Sequence, residues 1–247
     1  MLLEANDITM AFDGFLAVSG ATFEVAEGEI VGLIGPNGAG KSTFFNCLAG
    51  DLTPTAGRVT FDTVDVTRAT PEMHARSGIA RTFQVPATFA DLTVLENVMV
   101  GAFLRHSNAA IARRAARQVL ELTGLADKAE RRAGNLGTPG RKRLELARAM
   151  ATEPRLILLD EALAGLNPTE IQRAIELVRA IHRTGVTLVI VEHIMDVILT
   201  LANRVVVFNQ GHVIAQGAPR DVVNDPVVID AYLGHSHARR SREGGIV

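Results

Sequence analysis

Gly35-Pro36-Asn37-Gly38-Ala39-Gly40-Lys41-Ser42-Thr43 decides the fold class of this 247-residue chain. The stretch satisfies G-x-x-x-x-G-K-[ST], a loop whose backbone wraps a phosphate. Gly35, Gly38 and Gly40 let the main chain curl tightly and aim successive N–H groups at one anion. Lys41 adds a charge that can reach the β- and γ-phosphates, and the Ser42 hydroxyl is suited to holding Mg2+. The flanks agree. Glu29 to Ile34 is an apolar, strand-like run, and Ser42 to Ala49 reads as a helix whose positive dipole end faces the phosphate. An accidental glycine-rich turn would lack that strand before and helix after.

Composition narrows the rest. At 47% hydrophobic residues a substantial core is within reach and global disorder is excluded. A net charge of -2 argues against a dedicated nucleic-acid binder, which would carry a basic surplus. Cys47 is the single cysteine, so no intrachain disulfide can form. Beside Leu48 and Ala49 it reads as a buried structural thiol ahead of a reactive one. The N-terminus lacks the basic and long apolar regions of a signal peptide. The longest apolar runs, Leu156–Leu159 and Leu188–Val191, are strand-sized, far short of the roughly 18 residues of a membrane helix.

Along the chain, short strands are expected over Leu3–Met10, Ala21–Val25, Glu29–Ile34 and Arg58–Asp62. Ala109 to Leu122 reads as a helix with Ile111, Ala115, Val119 and Leu122 on its buried face. Arg113, Arg114 and Arg117 lie elsewhere on it, as a solvated basic face. A second helix should run from Pro139 to about Ala151, with Thr138 as its N-cap and Pro139 in its first turn. Arg155–Leu159 and Val186–Val191 read as strands. Between them Asn167-Pro168-Thr169-Glu170 starts a helix with N-cap, first-turn Pro and capping Glu, and Ile171, Ile175, Val178 and Ile181 form its buried stripe. Arg204–Phe208 and His212–Ala215, joined by Asn209-Gln210-Gly211, suggest a hairpin. The tail after Gly234, with His235, His237, Arg239, Arg240 and Arg242, reads as mobile and solvated.

Asp160 and Glu161 end the apolar run Leu156-Ile157-Leu158-Leu159. Asp160 could hold Mg2+ through water and Glu161 could polarise an attacking water. Taken alone, two acids after a strand are as readily a helix cap. Together with the glycine loop, this block resembles the nucleotide-binding subunits of ABC transporters, and the resemblance covers almost the whole chain. Gln84, in Arg81-Thr82-Phe83-Gln84, matches the family's Q-loop glutamine, which contacts Mg2+ and reports to the membrane subunit. His193 matches the switch histidine that contacts the γ-phosphate, and Ala164-Gly165-Leu166-Asn167 matches the D-loop. Phe12 sits where the family stacks an aromatic on adenine. Phe15 is nearby, and either ring could instead be core. Arg81-Thr82-Phe83-Gln84, Gly165-Leu166-Asn167-Pro168 and Ala231-Tyr232-Leu233-Gly234 are similar to the ATP-binding proteins of branched-chain amino acid importers.

That resemblance implies an α/β P-loop NTPase of the ABC ATPase type. It would have a mixed sheet core with an antiparallel β subdomain (1–85 and 152–234) and an inserted α-helical subdomain (86–151), with 235–247 as a tail. It implies an ATPase using ATP and Mg2+, paired with a second, related ABC ATPase chain and with transmembrane permease subunits. Indirectly it would serve a solute-binding protein. The chain would sit peripherally on the cytoplasmic face of the membrane and bind no nucleic acid. Two other functions compete: a nucleotide-gated regulator with weak hydrolysis, and a soluble ABC ATPase outside transport.

Two departures from the family pattern stand out. The signature motif, normally Leu-Ser-Gly-Gly-Gln, here reads Leu136-Gly137-Thr138-Pro139-Gly140. In the family this segment closes over the ATP held by the other chain. Gly137 lacks the serine hydroxyl and Pro139 lacks an N–H. Each hydrogen bond to a charged group is worth roughly 1.5–3 kcal/mol, so losing two weakens the grip by about a hundredfold or more unless Thr138 compensates. The alternative is a tolerated variant with full activity. Ala162 also replaces the family's usual proline, a change expected to affect only the local loop.

Overall fold

The computed structural model describes residues 1–233. Gly234 and the tail carrying His235, His237, Arg239, Arg240 and Arg242 therefore lie outside the described residues. The chain divides into two compact units: Met1–Arg68 with Ile190–Val247, and Ala69–Val189. The first opens with β1 (Leu3–Phe12), β2 (Phe15–Val25), β3 (Ile30–Ile34), α1 (Lys41–Ala49), β4 (Ala56–Phe61) and β5 (Val64–Asp65). The second holds α2 (Pro71–Ser77), β6 (Ile79–Arg81), α3 (Val94–Ala102), α4 (Ala109–Leu122), α5 (Thr138–Met150), β7 (Leu156–Asp160), α6 (Pro168–His182) and most of β8 (Thr187–Val191). The chain then supplies α7 (Met195–Leu201), β9 (Arg204–Asn209), β10 (His212–Gly217) and α8 (Pro219–Val223) to the first unit.

In the first unit β2, β1, β4 and β5 form an antiparallel sheet in that order. β3 pairs in parallel with β9, and β9 pairs antiparallel with β10. Every residue of β3 is buried, as a parallel strand covered on both faces requires. Phe44 of α1 is the hub of this core. Its ring meets Phe23 edge-on at 5.6 Å and Phe208 at 4.8 Å. The anticipated hairpin is present as β9 and β10. β2 begins at Phe15, six residues before the sequence reading. Gly20 takes a positive φ inside the strand and the register shifts opposite it, between Ile8 and Met10. That irregularity breaks the alternation by which a strand is recognised.

In the second unit β6 and β7 run parallel, both buried at their centres. One apolar cluster, from Val94 to Ala151, joins α3, α4 and α5. α6 starts as its sequence states: Asn167 Oδ1 accepts from Glu170 N–H at 3.0 Å, and Glu170 Oε2 accepts from Asn167 N–H at 2.9 Å. Ile175, Val178 and Ile181 are buried beneath it, with Ile171 half-buried.

Two details correct the sequence reading. α4 has the expected limits, and Ala115, Val119 and Leu122 are half-buried as expected, but its fully buried residues are Ala112, Ala116 and Leu120, and Ile111 is exposed. In α5 the N-cap is Gly137 and not Thr138, which is already helical, and no side chain caps this end. Arg117 on the basic face of α4 is paired with Glu130 at 3.1 Å, both partly exposed.

The α4 correction is testable. Leu120→Ala should cost about 3 kcal/mol of stability, whereas Ile111→Ala should stay within about 0.5 kcal/mol. Urea unfolding of the two variants measures this, and a larger loss at Ile111 would contradict the assignment.

Candidate functional site

The glycine loop joins β3 to α1 in the first unit. At Gly35, φ is +147° and a Cβ would stand 2.1 Å from the Phe208 carbonyl oxygen. At Gly40, φ is +96° and a Cβ would stand 2.4 Å from the Ala17 carbonyl oxygen. No side chain fits at either place, and neither φ suits an L-residue. The loop is braced further by Gly211, whose N–H donates to Ala39 O at 2.9 Å and whose carbonyl accepts from Ser19 N–H at 2.9 Å. Gly211 and Ala17 were not singled out from sequence: Asn209-Gln210-Gly211 signalled only a turn.

No side chain caps the N-terminus of α1, where Gly40 is the N-cap. Its first N–H groups point the way a phosphate needs them. Lys41 is buried and its Nζ donates to Gly35 O at 2.7 Å and Pro36 O at 2.9 Å. Ser42 is exposed beside it. Phe12 and Phe15 are a cross-strand pair at the tip of the β1–β2 hairpin, both exposed. The core reading is thereby removed for each ring. His193 is exposed two residues past β8, after the buried Glu192. Tyr232 lies on a helical run starting at Pro226. Burial pushes the Tyr232 phenol up, so its hydroxyl stays protonated.

In the second unit the ends of β6 and β7 bring Gln84, Asp160 and Glu161 together. Gln84 Nε2 donates to Glu161 Oε2 at 2.5 Å. Asp160 is largely buried and pairs with Arg81 at 3.3 Å, while its N–H donates to Thr82 Oγ1 at 3.2 Å. Glu161 has φ +45°, a strained conformation for a non-glycine residue. Lys142 Nζ at 3.2 Å and Ala164 N–H at 3.1 Å both donate to its carbonyl. The helix-cap reading of the two acids fails, because α6 is capped by Asn167. Lys142 escaped sequence reasoning, since only the fold reveals its reach to Glu161.

The segment after Gln84 is pinned from within the same unit. Phe83 N–H donates to Glu145 Oε1 at 2.8 Å. Glu145 is buried, which raises its carboxyl above the ordinary range, and the Phe83 N–H partly opposes that rise. Fully buried Asn97 accepts from Phe89 N–H at 2.9 Å and donates to Phe89 O at 3.0 Å. Arg148 donates to Ala87 O and stacks on the Phe89 ring. The loop nonetheless exposes Phe83, Val85 and Phe89, with Val85 at 78%.

Leu136 to Gly140 forms the entry to α5. Gly137, the N-cap, offers no hydroxyl, and Pro139 offers no N–H in the first turn. A Cβ at Gly137 would meet only Pro139 Cδ, at 3.9 Å. Its φ of -67° is ordinary, so a serine fits there without strain. Ala162 is half-buried in the segment after Glu161.

Known proteins match on the same segments. Residues 18–164 fit the family model ABC transporter, and residues 212–238 fit the model Branched-chain amino acid ATP-binding cassette transporter. The chain is 40% identical over 253 residues to the high-affinity branched-chain amino acid transport ATP-binding protein LivG of Salmonella typhimurium, across 95% of this chain and 98% of the relative. It is 38% identical to the protein of the same description, BraF, of Pseudomonas aeruginosa, with the same coverage. An ATP-binding cassette of an ABC transporter solved in its ADP conformation superposes with a TM-score of 0.86 at 32% identity, over 94% of this chain and 98% of that one. A dimeric, post-hydrolysis ATP-binding cassette bound to ADP and Pi gives 0.79 at 26% identity, over 88% and 99%.

Cys47 sits on α1, 2% exposed, with burial pushing its thiol up to about 11. Thiolate is the reactive form, so the folded chain should resist alkylation. N-ethylmaleimide at pH 7.5 should label the urea-unfolded chain fully and the native chain at least tenfold more slowly, as read by mass spectrometry. Equal rates would contradict the burial.

Proposed function

We propose a division of roles within this chain, which belongs to the ABC transporter family and, within it, to the ATP-binding proteins of branched-chain amino acid transport. It is an ATP-binding, ATP-hydrolysing transporter subunit, and the rival readings as a regulator or a soluble ATPase are not favoured by such relatives. The solute moved by its transporter is a branched-chain amino acid or a related small solute. This follows the names of its relatives and not any pocket in this chain.

Gly35 to Thr43 hold the phosphates through backbone N–H groups, with Lys41 on the β- and γ-phosphates. Phe12 stacks on adenine, and His193 contacts the γ-phosphate. Glu161 polarises the attacking water, and Gln84 orients it. The observation that carries this reading is the acidic pair at the end of β7, where Glu161 is kept in a strained conformation and its carboxylate is met by Gln84. Strain of roughly 1–3 kcal/mol persists only where neighbours enforce it, and functional residues are where it collects.

The donor set suits Mg2+: the Ser42 hydroxyl, the Asp160 carboxylate and the Gln84 amide oxygen are all hard oxygen ligands. Gln84 gives its nitrogen to Glu161, which leaves that oxygen available. The ion, when bound, neutralises charge on the phosphates.

Leu136, Gly137, Thr138, Pro139 and Gly140 act in trans, on ATP held by a second ABC ATPase chain. The dimeric cassette with ADP and Pi supports a paired arrangement. Gly137 and Pro139 make this chain's contribution the weaker one, and a partner of different sequence makes the pair asymmetric. The exposed Phe83, Val85 and Phe89, pinned beside Gln84, form the surface for the permease subunits. No helix among the described residues is long and apolar enough to cross a membrane. Those subunits therefore hold the chain at the membrane, on its cytoplasmic face, and the solute-binding protein meets them and not this chain.

In the assembled transporter, Glu161→Gln should lower ATP turnover by about a hundredfold or more while ATP binding survives. Untouched turnover in a steady-state phosphate-release assay would refute the role of Glu161. Gly137→Ser combined with Pro139→Gly should tighten ATP at the partner's site, by about a hundredfold or more. Should neither turnover nor ATP affinity change, the asymmetry has to be abandoned.

A further inference from the structure

Helix α5 turns two side chains of opposite charge toward the segments that carry Gln84 and Glu161. Lys142 and Glu145 stand three residues apart, so they project from one face of the helix. Lys142 Nζ donates to the Glu161 carbonyl at 3.2 Å, and Glu145 Oε1 accepts from Phe83 N–H at 2.8 Å. Phe83 is the residue before Gln84. One helix face therefore grips both segments by their main chain, each through a hydrogen bond that involves a charged group.

The sheet alone does not set this spacing. The parallel register of β6 and β7 ends with Arg81 opposite Leu158, and both Gln84 and Glu161 lie past that end. There the two segments are held from the side. Glu161 also has a positive φ, a conformation that its neighbours have to enforce. Glu145 is the one charged residue among the six that α5 buries. A leucine at that place would be buried without losing hydration, so the carboxylate is kept at a cost and for the bond it makes.

We propose that Lys142 and Glu145 are positioning residues for ATP hydrolysis: together they set the Glu161 peptide and the Gln84 segment so that the glutamine amide and the Glu161 carboxylate meet. The proposal rests on Gln84 and Glu161 being the hydrolytic pair. Lys142→Met keeps the stem and removes the donor, and Glu145→Leu removes the acceptor. In the assembled transporter each should lower kcat about tenfold, with the KM and the affinity for ATP within about twofold, as read by phosphate release and by displacement of a fluorescent ATP analogue. Glu145→Gln leaves an oxygen that can accept from Phe83 N–H and should bring kcat back to within about threefold. On a Glu161→Gln background Lys142→Met should lower the residual turnover less than about twofold, because no carboxylate is left to place.

The proposal is overturned if kcat stays within about twofold in either Lys142→Met or Glu145→Leu, or if ATP affinity falls in parallel with kcat. It is overturned equally if Glu145→Gln restores nothing, or if the full loss from Lys142→Met persists on the Glu161→Gln background. Glu161→Gln alone separates the two levels. If it turns over ATP as the unaltered transporter does, the hydrolytic pair itself is misassigned. If it loses turnover while Lys142→Met and Glu145→Leu keep theirs, only the roles of Lys142 and Glu145 fail.

Discussion

Two carbonyl oxygens, of Phe208 and Ala17, stand where side chains at Gly35 and Gly40 would have to be. That exclusion shapes the first unit. β9 must deliver Phe208 O to the end of β3, and the parallel β3–β9 pairing does so. β2 must deliver Ala17 O, and its neighbour Ser19 donates to Gly211 of the β9–β10 turn. The aromatic core through Phe23, Phe44 and Phe208 fixes α1 behind the loop. The anion site is thus a consequence of close backbone packing, and the glycines are the residues that allow it.

The second unit solves a different problem. Its acidic pair needs one buried carboxylate and one poised in a strained backbone. Arg81 offsets the burial of Asp160. Gln84 and Lys142 bind opposite ends of Glu161, its carboxylate and its carbonyl. Gln84 arrives on the segment that Glu145, Asn97 and Arg148 tie down. The exposed Phe83, Val85 and Phe89 thus lie on the segment whose Gln84 meets the Glu161 carboxylate.

Local features were legible in the sequence because their chemistry is local. The glycine loop, the Asn167–Glu170 capping box and the parallel strands can be read from neighbouring residues. The buried face of α4 was read slightly off centre, because Ile111 outweighs Ala112 and Ala116 on hydrophobicity scales, although Ala115 and Val119 do pack against the cluster. α3 was missed although Thr93 and Glu96 form a capping box at its start. The contacts that organise the site were out of reach. Gln84 meets Glu161 from 77 residues away. The departure at Gly137 was visible as a missing hydroxyl. The fold adds that the position is the α5 N-cap, and that it has room for the serine it lacks.

We propose that this chain is one half of an ATPase, contributing the phosphate loop, the acidic pair and His193, while another chain closes over its nucleotide. ATP turnover at a fixed concentration of this chain, titrated with the partner ATPase chain in the presence of the permease subunits, tests that dependence most directly. The expected result is a saturable rise from near zero, ending at equimolar partner. Full turnover by this chain alone, unchanged as the partner is added, would contradict the account.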